Sequence, residues 1–333
     1  METIDPYSLV DEFCTHDQVK KLLHDAKAVA KNDVLIGVTK QDSLTNLEAA
    51  VSKGFVQRDE IWKLIRNGEE NGDQHIFFYR ARNASVRQLC NVDTIAVNLF
   101  GSNWESRFPK FGIPQDALAW SDFRRESVGW TGKLYRWHYS RKLLHEFKRH
   151  DDAAGEIDVF EYQIKKTRQI CIARWQSHTL QIRVPRLSTR PLIREYLQSV
   201  WNELSRAGIN RNDFQPIDLE KTRWRLIEEF IDGSDAYRPH ALRLEDDDQC
   251  SVEITPHTEG DGLSDTVRQA LRTDFAESDC MDLQLFVQPV EEILAKELRV
   301  QLLGRDENNE VVISSKTTPE AIDYVTGTLL QIG

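Results

Sequence analysis

Residues 169–184 read Gln169-Ile-Cys-Ile-Ala-Arg-Trp-Gln-Ser-His-Thr-Leu-Gln-Ile-Arg-Val184. Two apolar-rich runs, 169–175 and 180–184, flank the polar turn Gln176-Ser-His178. In the second run Leu180, Ile182 and Val184 alternate with Gln181 and Arg183, the period-2 pattern of a strand with one buried face. Arg183 therefore projects to the face opposite Ile182. A preceding run, 157–164, adds a third strand. Strands joined by turns this short pair antiparallel, because a parallel crossover needs a dozen or more residues. The fold class is α+β rather than a doubly wound parallel sheet.

Upstream the period changes to that of helices. Val19, Leu22, Leu23, Ala26 and Val29 form an apolar stripe, and Thr15 with Gln18 makes a capping box. Asp42 and Ser43 offer a cap for a second helix that Gly54 can close, and a third carries Ile61, Leu64 and Ile65 before the breakers Asn67-Gly68 and Asn71-Gly72. Gln74–Arg80 reads as a strand. Downstream, helices are expected over 192–204 and 219–230, a hairpin over 241–245 and 250–255 around Asp246-Asp247-Asp248, a helix near 263–275, three more strands, and a last helix after Pro319. The expected layout is a helical domain at 1–82, an aromatic and basic connector at 83–156, a basic α+β domain at 157–232 and an acidic α+β domain at 233–333.

Apolar residues make up 40% of the 333 and charged residues 29%, the composition of a folded globular chain. The start has no cationic stretch leading into an apolar one, and no run of about 18 apolar residues occurs, so neither secretion nor a membrane span is expected. Five scattered cysteines without a CxxC pair fit a reduced, cytoplasmic chain better than a disulfide framework or a zinc site. The net charge of −11 conceals a segregation: residues 104–225 carry +8, whereas 226–333 carry −16. The field of a region, not the total, decides what it attracts.

Catalytic motifs are sparse. Gly129-Trp-Thr-Gly132-Lys133 has the wrong spacing for a phosphate loop, and Gly260-Asp-Gly262 lacks a third glycine. His145-Glu146 with His150 misses the i,i+4 histidine spacing of a zincin helix, and Asp246–Asp248 reads as a solvated turn. One catalytic alternative is a restriction-type nuclease core using Mg²⁺, with Asp158 (or Asp152) and Gln163 as ligands and Lys165 orienting water. Its weakness is that Asp158 and Gln163 leave no room for an intervening hairpin. A DNA-reading third helix is disfavoured because Lys63 and Arg66 are outweighed by Asp59, Glu60, Glu69 and Glu70.

The helical start ending in Gln74-His-Ile-Phe-Phe-Tyr79, the strands over 157–184, the paired helices at 192–204 and 219–230, and the closing strand, Thr318-Pro-Glu-Ala-Ile322 and helix resemble, in order and hydrophobic pattern, the kinetochore centromere protein N family. The resemblance implies a pyrin-like helical domain and adjoining sheet that form a basic groove on nucleosomal DNA, with a C-terminal part that pairs with a sister subunit. In a source without histones it implies a DNA-binding assembly subunit, in chromosome maintenance or defence against foreign DNA; in a eukaryote the site of action would be the nucleus.

The expected function is thus a non-catalytic adaptor bound to duplex DNA through phosphates, with self-association or a protein partner at the acidic C-terminal part and no cofactor. The expected contact strip is Lys165, Lys166, Arg168, Arg174, Arg183, Arg186, Arg190 and Arg194, with Trp175 as a stacking partner. Arg190 and Arg194 fall at a helix start, where cations oppose the helix dipole by about 0.3–1 kcal/mol, a hint that they are kept for another purpose. Two alternatives remain: the nuclease, and a subunit that meets only proteins, whose arginines would be neutralised by acids of 245–265.

Overall fold

The computed structural model describes residues 5–108, 116–151, 155–187, 189–234, 236–245, 251–256, 263–273, 278–304 and 307–333. Asp152, Asp246–Asp248 and Gly260–Gly262 lie outside the described residues. The chain begins with four helices, α1 (Pro6–Phe13), α2 (His16–Ala30), α3 (Lys40–Ser52) and α4 (Arg58–Glu70). The capping box of Thr15 and Gln18 starts α2. Helix α3 starts one turn earlier than its expected cap, at Thr39, and Asp42 completes that box from the third helical position. Helix α1 was not foreseen; Asp5 caps it and Pro6 opens it, the arrangement proline tolerates best. Helix α4 runs straight through Asn67-Gly68. Gly68 serves as a contact point there, since a Cβ would stand 2.8 Å from the Phe13 carbonyl oxygen of α1.

Strand β1 (Gly72–Ala81) follows, then α5 (Ala84–Leu89), α6 (Val92–Phe100), and the meander β2 (Ala119–Glu126), β3 (Gly129–Asp151), β4 (Gly155–Gln176) and β5 (Thr179–Pro185). The rest is α7 (Arg190–Ser205), the short β6 (Phe214–Pro216), α8 (Glu220–Ile231), β7 (Tyr237–Glu245), β8 (Ser251–Ile254), α9 (Asp265–Thr273), β9 (Asp279–Val287), β10 (Leu298–Leu303), β11 (Glu310–Lys316) and α10 (Pro319–Ile332). All described strands belong to one sheet of order β2-β3-β4-β5-β1-β11-β10-β9-β7-β8, with β6 beside β1. Every described pairing of strands is antiparallel, so the α+β class holds. The sheet runs without interruption across the expected boundaries at 156/157 and 232/233.

Alternation along the strands sends each face to its own layer. Phe77 and Tyr79 of β1 and Leu180, Ile182 and Val184 of β5 meet α5, α6 and α7 in one core. The opposite face is covered in two parts. Tyr135, Ile170 and Ile172 pack under α1–α4, while Ile76, Phe78 and the alternating residues of β7 and β9–β11 pack under α8, α9 and α10. Much of the aromatic content of the connector expected over 83–156 is core. Trp104, Phe123, Trp130 and Tyr135 are buried, with Phe123 stacked on Trp130 at 5.2 Å between ring centres, so these rings are not open to nucleic acid.

The expected strands 157–164 and 169–175 are one strand of 22 residues. Lys165, Lys166 and Arg168, expected in a turn, continue the ladder opposite Ser140, Tyr139 and Trp137. Neighbouring β2 ends its pairing with β3 at Tyr135, and β5 reaches only Ile172 of β4. Beyond that line β3 and β4 form an arm with no neighbouring strand on either edge among the described residues. His145, read above as a helix position, lies on this arm.

Candidate nucleic-acid interface

Arg183 does project opposite Leu180, Ile182 and Val184, but that face is covered. It sits between the sheet, the end of α4 and the start of α10, with only 4% of its surface exposed. Its guanidinium reaches Gln181 Oε1 at 3.0 Å and the Glu70 carbonyl oxygen at 3.5 Å, and its Nε has no hydrogen-bond partner. Burial, with Arg174 adjacent, pulls its pKa down to about 10. A phosphate in bulk solvent cannot reach such a group.

The rest of the expected strip is largely committed inside the chain. Arg168 Nη1 stands 3.4 Å from Glu69 Oε1, and Arg174 donates to both oxygens of Asp323 on α10. Arg186 lies 3.8 Å from Asp73 Oδ1. Arg190 pairs with Glu310, which also accepts a 2.6 Å bond from His75, and this pairing explains a cation at the start of α7. Arg194 is exposed on α7. Trp175 is buried and edge-on to Phe214, a core ring rather than a stacking platform. The described acids that hold these arginines are Glu69, Asp73, Glu310 and Asp323; most of the acids of 245–265 lie outside the described residues.

Glu69 and Glu70 are the residues that sequence reasoning misplaced. Counted above with a solvent face, they are buried at the end of α4. Lys133 Nζ binds Glu69 Oε2 at 2.5 Å, and Arg124 grips both Glu70 oxygens at 2.9 and 2.5 Å. Burial opposes a charge on Glu70, yet the Arg124 guanidinium overrides it and holds the carboxyl below its usual range. The signal was present: two carboxylates in a last helical turn oppose the helix dipole and so call for cations nearby. Glu70 and Arg124 border a cavity of about 550 Å³ that mixes cations (Lys63, Arg66, Arg174) with acids (Asp59, Asp323).

Of the expected strip, Lys165 and Lys166 are exposed at the base of the arm. Arg141 and Lys142 on β3 lie opposite Ile164 and Gln163, which brings four cations together. Residues 139–143 and 162–166 contain no acid, and none of the four cations forms an ion pair with a described carboxylate; the acids nearby are Asp116, which accepts a 2.8 Å bond from the Tyr139 hydroxyl, and Glu12, which feels the charge of Lys165. Lys166 Nζ lies 4.3 Å from the centre of the Trp137 ring and 5.4 Å from that of Tyr139. With Asp158 as its acid the nuclease alternative lacks the geometry it needs, while Asp152 lies outside the described residues. Asp158 and Gln163 lie five residues apart on one strand, roughly 17 Å, and point to opposite faces. Lys165 shares a face with Gln163 only. Among the described residues no group of three or more His, Cys, Asp or Glu side chains is placed to hold a metal ion, and no helix is long and apolar enough to cross a membrane.

Fold and site together define an α+β protein built on one antiparallel sheet, with internally paired arginines and a projecting two-stranded arm whose base is basic. No family model matches the chain, and no curated protein matches it.

Arg183→Met tests the reassignment of the buried arginine. An apolar side chain of similar length removes a buried charge whose only described ion pair is the 3.9 Å contact to Asp323, and it strands no carboxylate, because Glu70 keeps Arg124 and Asp323 keeps Arg174. The destabilisation that follows removal of one partner comes from leaving the other uncompensated, which does not happen here. Thermal melting should show an unchanged or higher Tm, and a fall of several degrees would mean that Arg183 anchors the junction.

Proposed function

We propose that this protein is a non-catalytic adaptor subunit that binds duplex DNA without sequence preference, through phosphate contacts at the base of the arm. The observation that carries the reading is the exposed cluster of Arg141, Lys142, Lys165 and Lys166, on two strand segments that contain no acid and with no described carboxylate in ion-pair contact. Lys142 and Lys165 share one face of the arm; Arg141 and Lys166 lie on the other and add to the field. Cations at the edge of a narrow projecting ribbon can approach a duplex without the acidic C-terminal part coming near it.

Mobility shifts over a salt series test the proposal. Lys142→Glu with Lys165→Glu should weaken binding to all duplexes alike and flatten the salt slope by about two units, close to one per lost phosphate contact. Absence of binding by the wild type at low salt overturns the reading. A second reading, a subunit that meets only proteins, is favoured by the internal pairing of Arg168, Arg174 and Arg190 and predicts that null result.

A further inference from the structure

Seven of the large hydrophobic side chains left exposed by the fold are Tyr139, Leu143, Leu144, Phe147, Phe160, Tyr162 and Ile164, all on the arm. Exposed apolar groups scattered singly need no explanation, but a contiguous set on one element marks a contact surface. Ile164 is 64% exposed and Tyr162 50%.

The ladder register sorts these residues. Tyr139 and Lys166, Arg141 and Ile164, and Leu143 and Tyr162 form successive cross-strand rows on the face that, nearer the body, packs under α1–α4. A register shift at Leu144 lets the same face continue with Glu146 and Phe160, then Lys148 and Asp158. The five rows are symmetric about the middle one, Leu143 and Tyr162. One row inward lies Arg141 with an aliphatic residue, and one row outward lies Glu146 with an aromatic one. Two rows inward lies Lys166, and two rows outward Asp158.

We infer that the arm is a homodimerisation element, in which two copies lay these faces together antiparallel about a two-fold axis through the Leu143 and Tyr162 row. A two-fold contact places each row against its mirror row. Arg141 then meets the partner's Glu146, Lys166 meets the partner's Asp158, and Ile164 covers the partner's Phe160. A second copy is the partner whose charges match, because the arm's basic base and acidic outer half are complementary only when one arm is reversed on another. The acidic outer half argues against the same face lying along DNA. Lys142 and Lys165 point away from this contact, so dimerisation does not depend on the DNA reading; it takes up Arg141 and Lys166 and leaves those two lysines to meet phosphate.

Sedimentation velocity of the full chain without DNA, over the micromolar range, decides the matter. The wild type should be a concentration-dependent dimer. Leu143→Asp should be monomeric with an unchanged far-UV circular dichroism spectrum, since Leu143 is exposed in the single chain. Arg141→Glu should weaken the dimer by roughly a hundredfold through two like-charge contacts, and Arg141→Glu with Glu146→Arg should restore it. Lys142→Glu with Lys165→Glu should leave it unchanged, which separates this inference from the DNA reading. A wild type that is monomeric throughout overturns the proposal, as does a dimer indifferent to Leu143→Asp. Loss of DNA affinity in Leu143→Asp from a wild-type monomer would assign the face to nucleic acid instead.

Discussion

Replacing Glu70 with alanine should destabilise the protein by about 3–5 kcal/mol, the cost of removing one partner from a buried ion pair. Arg124 would lose its two-point acceptor and retain Asp122 and the half-exposed Glu126, while Arg183 would lose one of its two compensating carboxylates and keep Asp323 at 3.9 Å. Denaturant titration gives the free energy, and a loss under about 1 kcal/mol would show that water already serves these groups. The pH dependence follows in sign. Because Glu70 titrates lower in the folded state than in the unfolded state, its contribution is fully present above the ordinary glutamate range and is lost as pH falls through the lower folded value. Wild-type stability should therefore fall more steeply than that of Glu70→Ala on acidification through that window. Parallel curves would show that Glu70 is not held ionised.

Trp130→Ala should cost a comparable 3–5 kcal/mol, by a different route. The indole is fully buried, stacks on Phe123, and donates its Nε1–H to the Cys90 carbonyl oxygen at 2.8 Å. Truncation opens a cavity between β3 and α5–α6 and leaves that carbonyl without its donor. Trp130→Phe should recover most of the packing but not the hydrogen bond. Calorimetry on the three proteins distinguishes the terms; equal losses for alanine and phenylalanine would place the whole effect in the hydrogen bond.

The likeness of expectation and structure is greatest where the signal is local. The capping box at Thr15, the turn at Gln176-Ser-His178 and the alternation from Leu180 to Val184 each need only neighbouring residues, and all three are seen. Where two readings compete locally, as at Lys165–Arg168, the polar composition favours a turn. The 21-rung ladder between β3 and β4, shifted in register once at Leu144, decides for a strand, because cross-strand pairing satisfies more backbone groups than an isolated bend. Gly68 likewise has the composition of a helix end, and only the passage of α1 shows that its missing side chain is a packing requirement.

The site was less legible than the fold. Local alternation determined which face of β5 carries Arg183, and the basic character of residues 104–225 was plain from composition. What covers that face was not, because Arg168, Arg174 and Arg190 find their carboxylates about a hundred or more positions away in the chain, at Glu69, Asp323 and Glu310. Conversely, Phe160, Tyr162 and Ile164 carry the apolar signature of a packed strand, yet the fold leaves each of them about half exposed or more. A strand's period states only that its two faces differ. Which face meets water is settled by what folds onto it from elsewhere in the chain, and so the sequence determined the α+β architecture and its local registers, while the tertiary structure alone decided which charges are neutralised and which apolar surface is left open.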